Sequence, residues 1–417
     1  MVSARCAATI AAVVSAAFGS SAFASLSRPS PLEVSSQAFV VPPTAALPTS
    51  GGVCRPRVAV LRPPLPPVSS SPSLGCAASA TTTGYAPDPS SGGSDATVRH
   101  YEYDGYRIAY RYKEAAPPSR DDGGDHEQPP PLPPLVLIHP VGVGLSSWFW
   151  NRFVDEWDGG EVYAPDLLGC GLENGSDPWD PDVRGMPFPL GWVRALEELI
   201  RTEVVVREGD FGSGGVSRRT CAVVAQGGLA PVGVVLAHRD AGNAVSHLIL
   251  TSPPTWEDMM SSIPETELGR NYSFLRNPFW GSVAFSALES RRAVKLFSDL
   301  ILFAGECDEE WLERTASQEA TKVEARPPVM VFNAGMLRHR SYEEELRTLR
   351  QRALVLSGAD DGKRKIGRER YSIEMINCVA ETIEGKNVLP WESSQEVCVA
   401  ISRFLKGEGL GTADEMF

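Results

Sequence analysis

Apolar and polar positions alternate along this chain in two periods, two residues and about three and a half, and the places where one gives way to the other outline its architecture. Residues 98–112 alternate around Asp104-Gly105, the pattern of a β-hairpin closed by a two-residue turn. Leu135 to Ile138 form a continuous apolar run ending in His139-Pro140, and a Gly-rich turn then leads into an aromatic helix near Ser146. A second run, Glu161 to Asp166, ends in Leu-Leu-Gly169-Cys170-Gly171. Trp192, Ala195, Leu196, Leu199 and Ile200 share one helix face by their spacing. Cys221 to Val224 form a short buried strand, followed by Gly227-Gly228 and a small-residue helix reaching about His238.

Further apolar runs lie at 247–252, 353–358 and 377–383. A closing helix begins near Ser393, where Ser393 and Glu396 have capping-box spacing and Val397, Ile401, Phe404 and Leu405 form the inner face. Strands and helices alternating at these intervals specify an α/β fold, a mostly parallel sheet with helices on both faces. Residues 257–350 interrupt that rhythm with a helical, aromatic stretch that includes Phe274, Phe279, Trp280 and Phe285. Inserted there, it becomes a cap over the carboxyl ends of the strands, where open α/β sheets place ligands.

Composition changes the picture at the amino end. Residues 7–18 are apolar and Ala-rich behind Arg5, and small residues precede Phe23, which is the layout of a signal peptide over residues 1–22. The run is too short for a transmembrane helix. Residues 23–95 are rich in Ser, Pro, Ala and Gly. Residues 1–95 hold five Arg, no Lys and three acids, a net of +2 that leaves −15 on the remainder of a chain totalling −13. Basic, Ser-rich, acid-poor sequence of this kind is expected of a plastid transit segment, and the motif around Phe23 resembles the bipartite presequences of algae with secondary plastids. Secretion is the alternative, although its odd number of unpatterned cysteines fits it poorly.

The acidic body has no basic stripe, which excludes nucleic acid as a natural partner. The eight Cys form no C-x-x-C pair and none lies at zinc spacing from a His, so no metal, cofactor or disulfide framework is expected.

Chemistry enters at the stretch Thr220-Cys-Ala-Val-Val-Ala-Gln226-Gly-Gly228. A strand, a sharp Gly turn and a helix make the architecture of a nucleophile elbow, G-x-S-x-G. On that consensus Val224 and Gly228 take the Gly positions and Gln226 takes the nucleophile position. An amide has no proton to lose near neutral pH. Together with Leu137-Ile-His139-Pro140-Val141, Pro165-Asp166-Leu-Leu-Gly169-Cys-Gly171, Leu356-Ser-Gly-Ala-Asp360 and the tail Gly385 to Glu392, this stretch resembles the α/β-hydrolase superfamily from about Val98 to Leu405. Gln-Gly at the elbow is similar to an uncharacterised plant, algal and cyanobacterial branch of it. The resemblance divides the body into a core over 96–256, the cap over 257–350 and the rest of the core over 351–417.

It also implies a Ser, Asp and His triad with an oxyanion hole. By position the acid is Asp360, the nucleophile is replaced by Gln226, and the histidine by Asn387. The six His are at 100, 126, 139, 238, 247 and 339, so none follows the last strand. Val141 and Gly227 would supply the oxyanion N–H groups, His139 would support that turn by hydrogen bonding, and Cys170 would lie near the pocket with Gln226 and Asn387. A covalent serine route is then closed. The expected protein is a catalytically degenerate one that binds a hydrophobic small molecule or serves as an accessory protein. The alternative is an enzyme using Asp360 or Cys170 on a lipid- or isoprenoid-like substrate.

Overall fold

The computed structural model describes residues 96–115, 132–184, 189–205, 219–240, 243–317 and 321–408. The presequence read from residues 1–95 lies outside them. So does most of the proline-rich loop before the first parallel strand.

Eight strands form one sheet: β1 (Thr97–Tyr103), β2 (Tyr106–Lys113), β3 (Leu135–Ile138), β4 (Val162–Pro165), β5 (Cys221–Gln226), β6 (Val245–Thr251), β7 (Arg352–Gly358) and β8 (Cys378–Ile383). Their order is β1-β2-β4-β3-β5-β6-β7-β8. β2 is antiparallel to both its neighbours, and every pair from β4 onward is parallel. The β1–β2 hairpin closes on Asp104 at φ 49° and Gly105 at φ 76°, the two left-handed residues that a turn matching strand twist requires.

Alternation along the strands builds two cores. Val136, Ile138, Val223, Ala225, Leu248, Leu250 and Val355 point to one face, and Leu135, Leu137, Ala222, Val224, Ile249, Leu354 and Leu356 to the other. The first core is closed by α1 (Leu190–Leu199), α2 (Ala230–Asp240) and α3 (Lys363–Glu374). The second is closed by α4 (Ser394–Lys406), whose Val397, Ile401 and Phe404 are buried as their spacing implies.

The expected capping box at Ser393 does not form: its hydroxyl donates to the Glu384 carbonyl instead (2.8 Å) and makes no cap hydrogen bond. A side-chain oxygen near a helix start serves whichever backbone group tertiary packing brings closest.

Between β6 and β7 the chain is helical, and several of these cap helices bear on the strand tips. A cap helix over Glu309–Thr315 reaches the loop after β3, and one over Arg326–Asn333 reaches the loops after β4 and β5.

Candidate functional site

The turn after β5 decides what chemistry the site can hold. Gln226 is the last residue of the strand, extended at φ −91° and ψ 131°, and the left-handed residue is Gly227 at φ 59°. The elbow therefore falls one residue later than the sequence spacing placed it, because glycine takes that conformation without steric cost and a glutamine does not. In a nucleophile elbow the strained residue presents the nucleophile. Here it has no side chain.

Gln226 has a different occupation. Only 1% exposed, it accepts a hydrogen bond at Oε1 from the Thr251 hydroxyl (2.6 Å) and donates from Nε2 to the Asn387 carbonyl (2.7 Å). Its amide thus ties β5 to β6 and to the loop after β8. Both polar atoms of this buried amide are thereby engaged with the protein itself.

Asn387 does come to the elbow. A Cβ placed on Gly227 would lie 4.0 Å from Asn387 Oδ1, so this amide stands where a side chain at the turn would meet it. Asn387 is half-buried. Its N–H donates to the Leu302 carbonyl of the cap (2.9 Å). Glu392 holds the same loop, accepting from the N–H groups of Lys386 (3.0 Å) and Ala304 (2.7 Å).

The acid does not join them. Asp360 is exposed, and its N–H donates to the Gly385 carbonyl (3.0 Å). The next residue, Asp361, is the buried carboxylate, and it forms an ion pair with Arg368, both side chains at 5% exposure or less. Arg368 also donates to the carbonyls of Pro253 and Ser252, anchoring the left-handed Ser252 at φ 46°. Burial pushes the Arg368 pKa down, and Asp361 opposes that shift. The pair was legible only as an Asp followed seven residues later by an Arg on the next helix, a spacing too common to single out.

On the other side of β5, His139 and Asp166 brace the strand ends. The Leu167 N–H donates to His139 Nε2 (2.9 Å), which leaves the proton on Nδ1 to be donated to the Pro140 carbonyl (2.8 Å). Burial lowers the His139 pKa, with Asp166 partly opposing, so the ring is a neutral brace between the ends of β3 and β4.

Asp166 accepts from the Ser147 N–H (2.8 Å), Asn174 Nδ2 (3.0 Å) and the Ser176 hydroxyl (3.1 Å). Gly171 is left-handed at φ 70°, and any Cβ there would collide with the Asp166 carboxylate. Cys170 is buried, and burial followed by the carboxylates of Asp166 and Glu173 pushes its thiol well above the ordinary range. It is a thiol, not a nucleophilic thiolate. Val141 is buried at the same turn. The N–H that follows the turn residue belongs to Gly228 rather than Gly227, so an oxyanion pair here would be Val141 with Gly228.

The cap is seated on these loops through glycines. A Cβ at Gly144 would strike the Thr315 backbone; at Gly169 it would come within 2.8 Å of Pro328, and at Gly228 within 2.6 Å of the Phe332 ring. Phe332, Gly228, Leu302 and Asn387 remain half-buried around the turn.

A strand order of this kind, an elbow after β5 and a cap between β6 and β7 define a class, and the comparisons agree with it. Residues 135–401 match the model of the alpha/beta hydrolase family, and the chain belongs to that family. It is similar to the haloalkane dehalogenase DatA from Agrobacterium tumefaciens, at 17% identity and TM-score 0.51, over 76% of this chain and 98% of that one. A serine hydrolase involved in carbazole degradation, CarC, is 15% identical at TM-score 0.52, covering 75% and 100%. Proline iminopeptidase from Mycobacterium smegmatis is 14% identical at TM-score 0.51, covering 75% and 98%. At such identities the likeness is one of fold. No curated protein matches the chain. No helix among the described residues is long and apolar enough to cross a membrane.

Proposed function

We propose that this is a non-hydrolytic member of the family that holds a hydrophobic small molecule beneath its cap. The observation that carries the reading is the elbow itself: the residue that would present a nucleophile is Gly227, and the side chain beside it is the amide of Asn387. Neither can take a proton from a hydroxyl and return it to a leaving group. The surroundings suit binding. Leu302 and Phe332 offer apolar residues beside the turn, and the Asn387 amide offers an NH2 group and a carbonyl oxygen with which to orient a ligand.

Asp360 and Cys170 give the enzymatic alternative little support, since one faces solvent and the other is held as a thiol. On the composition of residues 1–95 we assign the protein to the plastid. A fluorescent protein fused behind those residues is expected to enter plastids, and its secretion would refute the assignment.

The test of function has two arms. Purified protein should not hydrolyse p-nitrophenyl esters of any chain length above the rate of a heat-unfolded control. Mass spectrometry of organic extracts from the protein isolated from its own cells should find a defined apolar molecule, depleted in Phe332→Ala and Asn387→Leu variants. Saturable ester hydrolysis would overturn the first half. An extract with no enriched molecule would overturn the second.

A further inference from the structure

The two edges of the sheet are unlike. β1 carries Arg99, His100 and Glu102 along its outer rim, charges of the kind that discourage pairing between molecules. β8, Cys-Val-Ala-Glu-Thr-Ile, has no Lys, Pro or bulge, and its one charge, Glu381, is paired with Arg403 of α4. The carbonyls of Asn377 and Ile383 accept from the N–H groups of Ala353 and Ala359 in and beyond β7. A ladder alternates, so Val379 and Glu381 also face β7, and the backbone groups of Cys378, Ala380 and Thr382 point away from the sheet. Among the described residues nothing pairs with them.

Both flanks of that edge are dressed as contact surfaces. On one face, α3 exposes Ile366 (67%) and Ile373 (78%), and Ile376 (85%) follows before β8 begins. Arg370, a helical turn from both Ile366 and Ile373, pairs with Glu257, so these isoleucines lie on the solvent side of α3, away from the buried Arg368 and Tyr371. On the other face a groove of about 430 Å³ runs between β8 and α4, lined by Glu381, Thr382, Glu396, Val399 and Arg403 among others.

We propose that this edge is where two copies of the chain pair about a two-fold axis, antiparallel β8 to β8, joining their sheets into one. The occupant is argued from self-complementarity. Cys378, Ala380 and Thr382 are two residues apart, so they share one face of the sheet as well as the outward direction. A two-fold axis perpendicular to the sheet therefore sets outward groups against outward groups without exchanging faces. It brings α3 against α3 and α4 against α4. The outer face of α4 reads Glu396, Val399, Arg403: acid, apolar, base. Reversed against itself, that sequence places Glu396 opposite Arg403 of the second copy, with Val399 against Val399 on the axis. Arg403 lies level with Glu381, and the groove runs from there to Glu384.

The full chain is expected to sediment at twice the chain mass. Thr382→Pro removes an outward N–H without costing a bond to β7, and Val399→Lys sets two lysines together on the axis. Each should sediment at one chain mass while keeping the wild-type circular dichroism spectrum, and its melting temperature should fall to that of the monomer. Glu396→Arg should weaken dimerisation at least about tenfold, and Glu396→Arg combined with Arg403→Glu should recover most of the loss. Wild-type protein at one chain mass throughout the micromolar range overturns the proposal. The same mass with β8 amides protected from hydrogen exchange would overturn it too, showing that residues 1–95 cover the edge instead. A Thr382→Pro dimer, or a dimer broken only by Phe279→Ser with Trp280→Ser on the cap, would also refute it.

Discussion

The tips of β3 and β4 and the tips of β5 and β8 lie at the same end of one sheet, yet they have been kept for different purposes. At β3 and β4 the backbone is braced by buried side chains: His139 spans two strands, and Asp166 holds the Ser147 N–H, Asn174 and Ser176. At β5 and β8 the one fully buried polar side chain, Gln226, is equally satisfied, but the positions that would do chemistry hold a glycine and a half-exposed amide. The groups that shape the backbone are buried and bonded, whereas Gly227 and Asn387 at the turn carry no side chain that titrates near neutral pH. A satisfied buried network costs several kcal/mol to disturb, whereas a side chain that only touches substrate costs the fold almost nothing to lose.

That contrast can be broken by substitution. The largest effect should come from Asp166→Ala, which strands a buried N–H and two side-chain donors and is expected to cost about 3–5 kcal/mol in urea unfolding. A loss below about 1 kcal/mol would mean that water replaces the carboxylate and that the network is not a brace.

His139→Leu comes next, at about 2–4 kcal/mol, since the Leu167 N–H loses its acceptor. The wild-type ring also carries a pH signature. Its folded pKa is lowered, so the unfolded chain binds the proton first as pH falls below about 6.5, and stability declines there. The contribution is complete above that pH, and the decline should be shallower in the variant.

At the other corner the numbers shrink. Gly227→Ser forces a side chain into the left-handed region and should cost about 1–2 kcal/mol without conferring hydrolysis. Adding Asn387→His supplies a base beside the new hydroxyl, and slow ester turnover is expected of that double variant alone. Burst kinetics would detect it. Asn387→Ala should change stability by less than about 0.5 kcal/mol while depleting the bound molecule.

Much of this fold was legible in sequence, because strands and helices are written in local periodicity. The hairpin at Asp104-Gly105, the apolar runs that became β3, β5 and β7, and the inner face of α4 are all visible without coordinates. The site was legible by type and not by residue. Gln226-Gly227-Gly228 offers two glycines for one left-handed position, and only the exit angle from β5 decides between them. The same limit misplaced the cap of α4. Asp360 and Asp361 are neighbours of one kind, and what separates them is Arg368, brought close by folding. Choices among adjacent groups are made by tertiary partners, which periodicity does not encode.

The seating of the cap has a consequence for time. Because Gly144, Gly169 and Gly228 admit the cap within the space of a missing Cβ, it cannot slide across the core without a collision and has to lift away. Exchange of anything held beneath it is then paced by that lifting.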